Sequence, residues 1–406
     1  MRNDMNKENS LKSIFQENSK YKAFLLSILI AGLAYGLYKG MLDNFLVEVV
    51  QMGEMDRGIV EFFRELPGVL LVFILAAFYM LSCETLYKVG AVIMLIGMGM
   101  HAVLPPAKIL MTIAICTYSL GEHIQLGMKS TISLQYAKPG RGGAALGSQS
   151  ASSQIGTLAG YLIIVAVFSL FTANQPYQVF FGISAALLCL STVFAMRITG
   201  NSKTDESKRR FYFHKKYNKF YMLEMFYGAR KQVFMTFAPY VLILFYGANA
   251  ATISLLFAIS AITCFFASPI VGRIIDKIGY KVVMVTDTLL LIVVCFFYGF
   301  AHHLFPRDIA FIVCCVNYIL DSVISLASMA TNVYVQDLSD NADEVKATIS
   351  TGVSINHVIS VFIALFGGWI WQTLGIEILF MASAALGLCN TLYAATIKTR
   401  KQIEAK

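Results

Sequence analysis

Charged side chains inside long apolar runs are the residues of this sequence that most directly imply chemistry. Five groups stand out: Lys39 and Asp43; Glu61, Arg64 and Glu65; Glu122, His123 and Lys129; Glu224, Arg230 and Lys231; and Asp321. If these runs cross a bilayer, each ionisable group near its centre costs at least about 2.5 to 3.5 kcal/mol, so it requires an ionic partner or a wet cavity.

Helical periodicity sorts them by face. Glu122, Gln125 and Lys129 recur at i, i+3 and i+7 and are expected to look into a cavity together, with His123 turned about 100° away. Tyr227, Arg230 and Phe234 share a second face, with Lys231 on its flank. A guanidinium in a low-dielectric cavity favours carboxylate or phosphate through paired hydrogen bonds, and Lys39 or Lys129 adds a point charge. Arg230 is therefore the leading contact for an anionic or zwitterionic solute. Burial and neighbouring cations pull a carboxylate's proton affinity in opposite directions, so Glu122 and Asp321 are candidates for a proton that comes and goes with conformation. The plainer alternative is that these charges pair across helices, Arg230 with Asp321 or Glu61 with Arg64, and fix packing. Asp43, Glu48, Glu54 and Asp56 are expected to be solvated at one end of the first run, with Glu61, Arg64 and Glu65 as a gate just inside it.

The elements that must hold these groups are membrane helices. The chain has 406 residues, 57% hydrophobic and only 14% charged, with mean hydropathy +0.66; a soluble domain carries about a quarter charged residues. Runs long enough for a bilayer core of about 30 Å are expected at 21–46, 58–81, 87–104, 107–135, 143–171, 177–197, 219–246, 250–271, 281–301, 308–335, 345–371 and 375–397. Lys and Arg concentrate in the tails and even-numbered loops, whereas the odd-numbered loops hold Arg57, Lys108 and Arg307. That asymmetry places both termini in the cytoplasm. The division expected is a tail over 1–20, a six-helix bundle over 21–197, a basic linker over 198–218 with Phe211, Tyr212 and Phe213 at the membrane surface, a second bundle over 219–397, and a tail over 398–406. The first 20 residues contain no apolar signal-peptide core.

Other classes find little support. The sequence lacks a GxxxxGK[ST] phosphate loop, an HExxH pair and a GxSxG elbow, so neither an enzyme nor a bound cofactor is expected. Its net charge of +8 is spread over short loops rather than a soluble face, which argues against nucleic acid. Eight cysteines show no metal-binding spacing and read as packing residues.

A shift of about 200 residues brings the halves into partial register, a sign of internal duplication: Tyr118 and Leu120 fall on Tyr318 and Leu320, and Ile124 and Leu126 on Ile324 and Leu326. Between the eighth and ninth runs stands GRIIDKIGYK, residues 272–281. It resembles the loop motif G-x-x-x-D-[RK]-x-G-[RK]-[RK] of the major facilitator superfamily, with Tyr280 at one of the basic positions. The equivalent first-half loop, LSCETLYKVG over 81–90, keeps Lys88 but not the Gly and Asp pattern.

The resemblance implies an all-α fold of twelve transmembrane helices in two pseudo-symmetric halves and alternating access driven by gradients. It implies a cavity lined by the first, fourth, seventh and tenth helices, where most of the charges above lie, with Tyr35, Tyr38, Tyr118, Tyr227 and Tyr240 available to stack on a solute. Gly272, Arg273, Asp276, Lys277, Gly279 and Lys281 would gate, Asp276 facing the start of the fifth helix near Gly142 and Gly143. The Gly-Pro fifth-helix motif of many drug/proton antiporters is missing from GSQSASSQIGTLAG, residues 147–160, whose Gly147, Ser152, Gly156 and Gly160 read as a close-packing face. The expectation is a monomeric transporter in a bacterial inner membrane, surrounded by lipid, moving a small solute in symport with a proton or other ion. The alternatives are export or flipping of an amphipathic molecule, which the five in-span cations Lys39, Arg64, Lys129, Arg230 and Lys231 disfavour, and a non-transporting sensor or scaffold.

Overall fold

A computed structural model of the chain describes residues 11–17, 20–78, 80–171, 175–200 and 213–398. Twelve long helices follow one another among the described residues, joined by short connections except between the sixth and seventh: α1 Tyr21–Glu48, α2 Glu54–Ala77, α3 Cys83–Val103, α4 Lys108–Tyr136, α5 Gly142–Leu170, α6 Tyr177–Met196, α7 Asn218–Tyr246, α8 Ala250–Ile278, α9 Tyr280–Leu304, α10 Arg307–Leu338, α11 Ala342–Leu374 and α12 Ile376–Ala395. No strand occurs among the described residues. A one-turn helix, Leu11–Ile14, precedes α1, and α10 passes through a 3-10 turn over Ser325–Ser328. The tails over 1–10 and 399–406 and the middle of the basic linker, with Phe211 and Tyr212, lie outside the described residues.

The expected runs and the observed helices correspond one to one. α8 continues to Ile278 because Arg273, Asp276 and Lys277 extend a helix beyond the apolar stretch that composition detects. α2 starts earlier than its apolar stretch, at Glu54, where Glu54 and Asp56 in the first turn suit the positive end of a helix dipole and Asp56 accepts the Gly53 N–H at 3.0 Å. Among the described residues, nine helices are long and apolar enough to cross a membrane by length and composition. The three below that threshold are α2, α4 and α7, the helices that carry Glu61 to Glu65, Glu122 to Lys129, and Glu224 to Lys231.

Local sequence sets the helix ends. Ser82, Asn249 and Asn341 cap α3, α8 and α11 by accepting the backbone N–H three residues on. Gly279 has φ +89° where α8 turns into α9, a backbone angle that a side chain disfavours, which accounts for the glycine at that place in the loop motif.

By their contacts the residues form two units, 1–45 with 70–207 and 46–69 with 208–406. The sequence division had placed 46–69 in the first bundle; in the structure this stretch packs with the second. In the first unit α1 and α5 meet backbone to backbone: a Cβ on Gly156 would come within 2.2 Å of the Leu29 carbonyl and one on Gly160 within 2.6 Å of that of Leu33. Gly147 has open space around it and takes no part in that crossing. One end of this unit is closed by Phe24 set edge-on to Tyr87 and Tyr136, at 5.7 and 6.0 Å between ring centres. The second unit has a matching core around Tyr217, Phe220, Met284 and Tyr334.

Candidate functional site

The second unit buries two groups of charges. In the first, α7 carries Arg230 into the interior, where only 1% of its surface is exposed. Asp287 on α9 approaches its Nη2 at 3.9 Å and Asp321 on α10 its Nη1 at 3.8 Å. The Tyr227 ring, one turn earlier on α7, covers the guanidinium at 4.5 Å, and its hydroxyl donates to the Ser325 carbonyl in the 3-10 turn of α10. Both carboxylates are too far from the guanidinium for direct hydrogen bonds. Arg230 Nε, Nη1 and Nη2, Asp287 Oδ1 and Asp321 Oδ1 are all buried without a hydrogen-bond partner. An unmade bond of this kind costs about 1 to 3 kcal/mol, so the cluster is chemically unsaturated: it can take up a proton, water or a polar solute group.

In the second group the central carboxylate is saturated. Glu61, 1% exposed on α2, accepts from Arg57 Nη1 at 2.8 Å, from Arg64 Nε and Nη2 at 2.9 and 2.6 Å, and from Gln232 Nε2 at 2.8 Å. Arg64 also reaches Glu65, whose other oxygen meets His357 Nδ1 of α11 at 2.8 Å. Arg57 lies over the Tyr240 ring at 5.5 Å. Beneath these bonds a Cβ on Gly58 would approach the Ala364 carbonyl at 2.5 Å. This half of α2 is thus stapled to α7 and α11.

Other expected residues of this unit take humbler positions. Glu224 accepts from Thr331 of α10 at 2.8 Å, and Lys231 is exposed. In the loop motif Arg273, Asp276 and Lys277 are exposed at the end of α8. Tyr280, in place of a basic residue, donates to Asp337 at 2.7 Å, and Lys281 donates to the Ile397 carbonyl at 2.9 Å.

In the first unit Lys39 pairs with Asp43 at 2.8 Å. Asp43 is 1% exposed, not solvated as expected, because one turn of helix brings it under the lysine. Glu122 and Lys129 are half-buried on α4, close enough for their charges to interact. Gln125 does not join them facing a cavity: 2% exposed, it donates to the Tyr87 carbonyl at 3.1 Å and fills the space beside Gly90 on α3. Tyr38 packs on Tyr118, His101 and Phe181, with Tyr118 and its unbonded hydroxyl buried, while Tyr35 is half-buried. A cavity of about 590 Å³ lies at the Tyr21 end of α1, lined by Lys12, Lys20, Lys22 and Arg197 among others; such basic lining suits anionic lipid headgroups rather than a mid-membrane path.

Sequence reasoning missed two residues. Arg57 was counted as a loop cation, although it lies one turn from Glu61. Asp287 interrupts the apolar run of α9 and would have been found by the rule used for Asp321, had that rule been applied beyond the four helices expected to line a cavity.

With this geometry in hand, comparisons with known proteins are informative. The family model for the Major Facilitator Superfamily matches residues 220–406. A point variant of the nucleoside transporter NupG superposes with a TM-score of 0.75 at 16% identity, over 93% of this chain and all of the other. The chain has the major facilitator fold. A D-xylose-proton symporter follows the same major facilitator fold, at TM-score 0.71 and 13% identity, over 95% of this chain and 99% of that one. So does a bacterial homolog of the human lysosomal transporter Spinster, at 0.70 and 12%, over 94% and 97%. No curated protein matches by sequence. Identities this low establish the fold and leave function to be read from the chain's own residues.

Proposed function

We propose that this chain is a secondary active transporter that carries a small polar solute, anionic or zwitterionic, by alternating access in symport with a proton. The observation that carries the reading is the unsaturated cluster of Arg230, Asp287 and Asp321. One guanidinium between two carboxylates is a net negative charge when all three are ionised; one proton neutralises it. A carboxylate that takes that proton loosens its hold on Arg230, and the freed N–H groups can pair with an anionic group of the solute. Loss of the proton restores the internal pairing and expels the solute group. Tyr227 supplies the face on which such a group lies.

The rest of the assignment follows from it. Glu122 with Lys129, and Lys39, are the polar contacts offered by the first unit, Glu122 being its candidate proton carrier. Glu61, Arg64 and Glu65 hold α2 to α7 and α11 as a latch, and the 272–281 motif forms a second latch at the end of α8. Both termini lie in the cytoplasm of a bacterial cell, and the working unit is a monomer. A nucleoside transporter, a peptide transporter and a D-xylose-proton symporter share this fold, consistent with a polar cargo.

The test is a screen of melting temperature in detergent against anionic, zwitterionic, cationic and lipid-like solutes, since a ligand of the folded state raises it. A stabilising anion or zwitterion should lose its effect in Arg230→Ala and should enter proteoliposomes when a proton gradient is imposed. Stabilisation by lipid-like compounds alone, unaffected by Arg230→Ala, would overturn the proposal in favour of an exporter of amphipathic molecules.

A further inference from the structure

At the end of the second unit opposite the Gly279 turn, three side chains converge with the donor set of a metal site. His302 and His303 occupy the last turn of α9, and Glu377 lies in the first turn of α12. His302 Nε2 stands 3.1 Å and His303 Nε2 2.7 Å from the same oxygen, Glu377 Oε1. The three ligand atoms all lie within 4.8 Å of one another, and the two imidazole rings are 3.9 Å apart between centres.

Several features make this a chelate. Phe245 stands edge-on to His302 at 5.2 Å and fixes that ring. The Glu377 Oε2 lies back toward Gly375, 2.7 Å from where a Cβ there would stand, and Gly375 itself has φ +94°, a backbone angle that favours glycine. The carbonyl end of α9 favours a cation and the N–H end of α12 favours the carboxylate. Tetrahedral bonds of 2.0 to 2.2 Å to nitrogen and oxygen place ligand atoms about 3.3 Å apart, so small side-chain rotations adapt the present spacing. The His303 side chain is 57% exposed and Glu377 25%, which leaves the centre of the cluster open to solvent.

We propose that His302, His303 and Glu377 bind one divalent transition-metal ion, of which Zn²⁺ is the best match, bracing the end of α9 against the start of α12. Two neutral imidazoles and one carboxylate suit zinc and disfavour Mg²⁺ and Ca²⁺, which take oxygen ligands. One or two further positions would hold water. The site stands apart from Arg230 and does not depend on which solute is carried.

Calorimetric titration of Zn²⁺ into metal-stripped protein, purified without a polyhistidine tag, tests it. One equivalent should bind the wild type, and affinity should fall at least tenfold, about 1.4 kcal/mol, in both His303→Ala and Glu377→Gln. The metal-free melting temperatures of both variants should stay at the wild-type value, and Zn²⁺ should raise that of the wild type alone. Absence of binding at millimolar Zn²⁺, equal affinity in wild type and variants, or equally tight binding of Mg²⁺ would each overturn the proposal.

Discussion

Two buried charge clusters in the same unit are built to opposite standards. Around Glu61, carboxylate oxygens meet four nitrogen donors at 2.6 to 2.9 Å from Arg57, Arg64 and Gln232. Around Arg230, the carboxylates stand off at 3.8 and 3.9 Å and five polar atoms go without partners. Burying ions is repaid only when geometry and hydrogen bonding are complete. The Glu61 carboxylate meets that condition, each oxygen accepting two bonds, and behaves as a staple. The Arg230 cluster does not, and a centre held short of its bonds is one whose state a proton or solute can change.

The contrast is broken most forcefully at Glu61. Glu61→Ala leaves buried Arg57 and half-buried Arg64 beside an empty position, and removing one partner of a buried pair costs about 3 to 5 kcal/mol. A large fall in melting temperature is expected. A change of only a degree or two would mean that the bonds around Glu61 contribute little.

Arg230→Ala should reverse the order of effects. Asp287 and Asp321 lose their cation, but unlike the arginines around Glu61 they can become neutral by taking up a proton, so the stability penalty should be smaller, about 2 kcal/mol, while uptake of the solute found by thermal screening disappears. Stability loss equal to that of Glu61→Ala with uptake retained would erase the distinction between the clusters.

Asp287→Asn sharpens the same comparison at lower cost. It keeps the size of the side chain and removes one of the two negative charges, so Arg230 and Asp321 are left as a neutral pair. If the cluster holds the coupled proton, uptake should lose its dependence on external pH between mildly acid and mildly alkaline buffers. An unchanged pH profile would move the proton to another carboxylate, with Glu122 next in line.

The twelve helices were legible because lipid demands long apolar runs, and nothing else in the chain competes with that signal. The charges within the runs were legible for the same reason, and so was the pairing of Glu61 with Arg64 at i, i+3. What composition could not supply was direction. Gln125 shares a helical face with Glu122 and Lys129, yet it turns to α3 because Gly90 opens a space there. Asp43 looked solvated because it lies near a helix end, but Lys39 one turn away holds it inside. Asp287 was passed over by a rule about which helices should matter, whereas burial depends on which side chains meet. Partner identity is set by crossing geometry, which the sequence encodes only through small residues such as Gly90 and Gly58.

The smallest effect concerns the loop motif, where Tyr280 replaces a basic residue. Its hydroxyl donates to Asp337 at 2.7 Å, tying the start of α9 to the end of α10, while Lys281 secures the chain after α12 through the Ile397 carbonyl. Tyr280 therefore braces the second unit from within, and Asp276, Lys277 and Arg273 remain exposed for a partner. Tyr280→Phe keeps the ring packed against Tyr334 at 5.5 Å and removes one hydrogen bond to a charged acceptor, so it should lower stability by about 1.5 kcal/mol with transport intact. Tyr280→Arg, which restores the superfamily pattern, can pair with Asp337 and should recover the stability. Should Tyr280→Phe instead abolish uptake at unchanged stability, the hydroxyl would belong to the gate rather than to the brace.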